Sequence, residues 1–174
     1  MIAPEAAVSA EAPPEARLAR YAELAQQIPA LLEGEDDWVA GLATVACALH
    51  EAFDYFHWTG FYRLVTPDLL VIGPYQGGHG CTRITLDRGV CGAAARARRT
   101  QLVPDVHAFP GHIACSSSTR SEIVVPIFTP EGTLLGVLDV DSDLPDAFTD
   151  VDAAGLEALM AAVGRQLSNP WRSP

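Results

Sequence analysis

Three of the four cysteines, Cys81, Cys91 and Cys115, stand in the glycine-rich contexts GGHGCTRI, DRGVCGAA and FPGHIACSSS. A cysteine nucleophile acts as thiolate, and a free thiol supplies little thiolate at neutral pH unless a helix N-terminus or a cation favours it. GVCG opens a predicted helix, which puts Cys91 in its first turn, and Cys115 follows His112 in a segment rich in exposed amides. None of the three forms a CxxC pair, and the first residues lack a signal-peptide pattern, so thiol redox chemistry is favoured over a stapling framework. His79 near Cys81, and His107 and His112 near Cys115, lack the paired spacing of structural zinc ligands, so no metal is expected. Cys47 lies inside a predicted helix, away from its apolar stripe, and reads as inert packing.

Carboxylates form a second group. Glu122 starts the run SEIVVP, while Asp139 and Asp141 lie two apart in GVLDVDS. Residues two apart on a strand share a face, so both aspartates point one way from a strand otherwise rich in Leu and Val. Such groups need a cation, hydrogen bonds or a proton. They could equally be solvated residues at a strand end, or a pocket that holds an ammonium group or keeps a carboxylic acid as proton donor. Thiols and acids together fit sulfoxide reduction: thiolate attacks sulfur, a proton goes to the departing oxygen, and a second cysteine condenses with the resulting sulfenic acid. A dithiol then resets the disulfide by exchange. Peroxide reduction and redox sensing remain open from spacing alone.

The elements that must position these groups follow from periodicity. A helix is expected over Arg17–Leu32, broken or kinked at Pro29, and a second carries Trp38, Leu42, Val45, Leu49 and Phe53 on one stripe after the capping run GEDD. TGFYRLV, LLVIGPY and TRITL read as short strands, GVCGAAARARRT as a short helix, and QLVPDV as an extended segment. Residues 108–121 have no apolar periodicity and read as a long, functional loop. Two strands, SEIVVPIFT and TLLGVLDVDS, are joined through PEG, and a last helix turns Leu156, Leu159, Met160, Val163 and Leu167 inward. The order implies one α+β domain with helices on one face of an antiparallel sheet. The expected organisation is a mobile leader at 1–16, the domain at 17–168 and a tail at 169–174.

Composition excludes some partners. The 174 residues carry 22 acidic against 11 basic side chains, a formal charge of −11, which disfavours nucleic acid and anionic membranes. The one basic cluster, Arg96, Arg98 and Arg99, reads as a solvated helix face.

WTGFY, IGPYQG, GVCG, VPDVHAFPGHIAC, SEIVVP and GVLDVDS, in this order, resemble the free methionine-(R)-sulfoxide reductases, a catalytic branch of the GAF-domain family, over about Tyr21–Leu167. The resemblance implies a GAF-like fold, a central antiparallel sheet flanked by helices with a loop-covered ligand pocket. It implies a cytoplasmic homodimer with no bound cofactor, acting on free methionine sulfoxide with thioredoxin as electron donor. Carried over by motif, Cys115 attacks, Cys81 resolves and Cys91 relays or recycles. Glu122, Asp139 and Asp141 hold the substrate ammonium and protonate the leaving oxygen, and Trp58 and Tyr62 wall the methyl sulfoxide. The family commonly has Asp after the attacking cysteine, where this chain has Ser116, and more often ACV where Cys81 stands in GCT. A non-catalytic GAF sensor and a thiol redox switch are the competing readings.

Overall fold

The structure is a computed structural model and describes residues 6–167. Its six strands are β1 (Trp58–Thr66), β2 (Leu69–Gln76), β3 (Arg83–Thr85), β4 (Gln101–Val103), β5 (Ser121–Phe128) and β6 (Leu134–Ser142). They form one antiparallel sheet in the order β3-β2-β1-β6-β5-β4. The helices are α1 (Pro14–Leu31), α2 (Trp38–Ala52), α3 (Gly89–Ala97) and α4 (Asp150–Gln166).

Strand alternation divides the molecule. Phe61, Ile123, Val125, Ile127, Leu138 and Val140 form a core with the apolar residues of α1, α2 and α4. Their neighbours in sequence, among them Trp58, Tyr62, Val124 and Val137, pack with α3 on the opposite face. The period of two therefore supplies apolar contacts to both sides of the central strands. The three long helices share one face, as expected. The short α3 lies on the other face, where its small residues Ala94 and Ala95 are buried beside Ile84 and Val90.

Local signals explain the helix ends. Asp37 caps α2 by accepting from Val39 N at 2.7 Å and Ala40 N at 3.2 Å. Pro29 does not interrupt α1: it sits in the last turn, and the helix ends at Leu31. Thr149 and Asp152 form a capping box at the start of α4. Asp152 is also a buried hub that accepts from Arg17 Nη1 at 2.6 Å and from the hydroxyls of Tyr21 at 3.0 Å and Tyr55 at 2.6 Å. Gly155 permits the approach of α1 to α4, since a Cβ there would stand 2.4 Å from the Tyr21 ring.

The first helix begins at Pro14, and part of the preceding segment is packed. Val8 pairs with Phe53, and the carbonyl of Ala10 accepts from the Arg17 guanidinium. The rest of the expected leader, 1–5, and the tail, 169–174, lie outside the described residues. Within the basic cluster, Arg98 is committed to packing: it stacks over Phe128 at 4.7 Å and donates to the Gly132 carbonyl.

Candidate active site

The face of β1, β5 and β6 that carries α3 also carries a cavity. Its walls include Trp58 and Tyr62 from β1, Glu122 from β5, Asp139 and Asp141 from β6, and Cys91 from α3. Gly60 stands opposite Asp139 in the β1–β6 pairing, and the Trp58 ring fills the space that a side chain at Gly60 would take. Two loops complete the enclosure: residues 77–82 bring Cys81, and residues 109–120 bring Cys115. The structure thus brings every sequence-predicted site residue to one place, with Cys81 half-buried just behind the wall in the apolar cluster of Trp58 and Tyr62.

Cys81 and Cys115 are joined by a disulfide across 34 residues of chain, with Cα atoms 5.3 Å apart. Cys91 and Cys47 are free thiols. Trp58 stabilises the Cys81 loop by donating its indole N–H to the Gly78 carbonyl at 3.0 Å, while its ring stacks between Tyr62 and Tyr75. Gly89 N donates to Gly111 O at 2.9 Å, which ties the start of α3 to the Cys115 loop.

Electrostatics reverse one expectation. The first turn of α3 was expected to favour the Cys91 thiolate. Instead, burial raises the Cys91 pKa well above its usual value, and the charges of Asp139 and Glu122 raise it further. A helix terminus is a fraction of a charge, which two buried carboxyls and loss of solvent outweigh. Cys91 is therefore a thiol at neutral pH. Cys47 is held up as well, by burial and by Glu51, in keeping with an inert role.

The carboxyls are a cluster with raised pKa values rather than a solvated strand end, although Asp141 is only half-buried. Burial raises Glu122 well above the carboxylate range, with Asp139 and Asp141 adding to it. Asp141 is raised by burial and by Asp139. Burial lifts Asp139 to about 7, with hydrogen bonds from Cys91 and Glu122 holding it below the others. Three acids, one of them poised near neutrality, can hold a cationic group while keeping a transferable proton.

Some site residues were not singled out in the sequence. Ile113, Thr119 and Val90 line the cavity, and Thr119 is 4% exposed. His112, weighed above as an aid to Cys115, lies instead with Nε2 4.0 Å from Glu122 Oε2, its pKa lowered by burial and by His107. At the family's Asp position, Ser116 Oγ shares a hydrogen bond of 2.8 Å with Ser118 Oγ, which bonds His57 Nε2 at 3.1 Å. The serine thus joins a hydroxyl–imidazole chain that anchors the Cys115 loop to the start of β1. The run SSS was the signal available, but His57 is 61 residues from Ser118 and no pattern connects them.

A six-stranded antiparallel sheet with a helical back and a loop-closed front defines a class, and the chain belongs to the GAF-domain family, whose profile matches residues 39–167. It is 48% identical over 141 residues to GAF domain-containing protein A of Dictyostelium discoideum, covering 81% of this chain and 88% of that one. Within the family, the free methionine-R-sulfoxide reductase of Escherichia coli K12 is 43% identical over 148 residues, covering 85% of this chain and 88% of the relative. The crystal structure of free methionine-R-sulfoxide reductase from Neisseria meningitidis in complex with its substrate superposes with a TM-score of 0.84 at 44% identity, covering 95% of this chain and 96% of that one.

Proposed function

We propose that this protein reduces free L-methionine-(R)-sulfoxide to L-methionine. The observation that carries the reading is a cysteine pair able to form a disulfide at the wall of a pocket floored by three proton-bearing carboxyls. Its relatives of that name support the substrate.

In this reading the Cys115 thiolate attacks the sulfoxide sulfur while the carboxyl cluster delivers a proton to the oxygen. In the adduct the oxygen passes from the substrate sulfur to the Cys115 sulfur as the substrate S–O bond and the new S–S bond break. Methionine leaves with the electron pair, and Cys115 is left as sulfenic acid. Cys81 then attacks the Cys115 sulfur, water departs, and the disulfide seen here results. Thioredoxin supplies the two electrons that restore both thiols. Asp139, the most acidic of the three, pairs with the substrate ammonium, and Glu122 and Asp141 retain protons for the oxygen. Trp58 and Tyr62 wall the S-methyl group. Cys91 assists recycling by reacting through its small thiolate fraction. The enzyme works as a cytoplasmic homodimer without a bound cofactor; no helix among the described residues is long and apolar enough to cross a membrane.

The disulfide holds the Cys115 loop against the Cys81 loop beside this cavity, and reduction releases it.

The test supplies purified protein with thioredoxin, thioredoxin reductase and NADPH, and compares the free R and S epimers. NADPH oxidation with the R form alone is expected. No consumption with that epimer overturns the reading. The Cys115→Ser variant should lose turnover completely, whereas a GAF sensor would keep its ligand response without Cys115.

A further inference from the structure

The pocket floor offers a second kind of ligand a place. Cys91 Sγ, a Glu122 oxygen and an Asp139 oxygen all lie within 4.8 Å of one another, on three different elements. All three residues are buried, with 3%, 6% and 6% exposure. Asp139 Oδ1 is buried without a hydrogen-bond partner among the described residues. A buried carboxylate oxygen left unpaired is costly, and native structures nearly always fill such a position. Asp139 lines the cavity, which has room for an ion.

We infer that Cys91, Glu122 and Asp139 form a binding site for a thiophilic divalent cation of the zinc class. The donor set selects this class. One thiolate with two carboxylates suits Zn²⁺, which takes sulfur and oxygen together in tetrahedral geometry, with water as the fourth ligand. Magnesium and calcium prefer all-oxygen shells with more ligands. Zinc holds sulfur at about 2.3 Å and oxygen at about 2.0–2.2 Å, so the trio must draw together by about an ångström. This set is unlike the His and Cys residues near Cys81 and Cys115, whose spacing argues against zinc.

Occupation would take Glu122 and Asp139 away from substrate, making the cation an inhibitor. Binding itself does not depend on the reductase reading, so the test measures binding alone. The probe is Co²⁺, added without oxygen to protein in its Cys81–Cys115 disulfide form, in which Cys47 and Cys91 are the free thiols. A near-ultraviolet thiolate-to-cobalt charge-transfer band is expected, saturating at one Co²⁺ per chain and displaced by Zn²⁺. It should vanish in Cys91→Ser and persist in Cys47→Ser. No band in the unaltered protein, a band that survives Cys91→Ser, or one lost in Cys47→Ser overturns the inference. Asp139→Asn keeps the thiol and tests the carboxylate. Its Co²⁺ affinity should fall at least tenfold, and unchanged affinity refutes the site even where Cys91→Ser fails to fold.

Discussion

Glu122 and Asp141 are directly opposed across the β5–β6 pairing, two register positions from the Val124–Asp139 pair. Like charges at opposed positions destabilise a sheet, so this register favours the protonated forms of the cluster. The three acids are thus a consequence of strand register as much as of composition. Burial and mutual repulsion raise their pKa values, so the cluster still holds a proton near neutrality for a substrate oxygen to take.

Activity should follow that proton. The Asp139 pKa of about 7 places the most acidic member of the cluster near neutrality. The rate of the chemical step, measured in single turnover, should change across pH 6–8, with the steep limb assigned to the cluster as a whole. Asp139→Asn should flatten that limb and weaken substrate binding by about tenfold or more, the loss of one charge-assisted hydrogen bond to the ammonium. A pH profile identical to that of the unaltered protein would remove Asp139 from the reaction.

Stability should carry the same signature with a definite sign. Asp139 has an unfolded-state pKa near 3.8 and a folded value of about 7, so the folded chain binds the extra proton. Its contribution is fully present below pH 4 and is lost as pH rises toward 7. Thermal melts should therefore show the unaltered protein losing stability over this window relative to Asp139→Asn. Parallel curves for the two proteins would contradict the raised pKa.

Cys81→Ser should separate attack from resolution. With no partner for the sulfenic acid, the variant should release about one methionine per chain and then stop. Dimedone labelling of Cys115, read by mass spectrometry, checks the trapped intermediate. Sustained turnover would show that another thiol, Cys91 first, resolves it.

Asp152→Asn should act on stability. The substitution leaves the buried Arg17 guanidinium without its carboxylate partner at 2.6 Å and weakens the bonds from Tyr21 and Tyr55. Breaking a buried pair in this way costs about 3–5 kcal/mol. For a chain of this size that lowers the melting midpoint by roughly 10 °C, readable by calorimetry.

This hub shows where sequence reading stops. Asp152 reads only as an acid in the run leading into a helix, because its partner Arg17 is 135 residues away. The period-two pattern of GVLDVDS, by contrast, carries the shared face of Asp139 and Asp141, since alternation is a local property of the chain. The strand runs, the cap of α2 and the inward stripe of α4 were legible for the same reason. Proximity of Cys91 to Asp139 was not, and it decides the thiol's protonation. Its helix position was visible in sequence, while the acids that overrule the helix arrive on β5 and β6. The contact of His112 with Glu122 likewise depends on how a loop without periodicity folds.

The alternation along β6 has a further consequence for how this gene could vary. Leu138 and Val140 enter the helical core while Asp139 and Asp141 enter the cavity. Deleting one codon within this strand would exchange the two sets, driving two acids into hydrocarbon and two aliphatic groups into the reaction chamber. The β5–β6 turn at 129–133 carries no such constraint, because a change of length there leaves each strand's facing intact. Viable length variants should therefore accumulate at the turn and be absent from β6, a boundary that a deletion library selected for reductase activity would draw residue by residue.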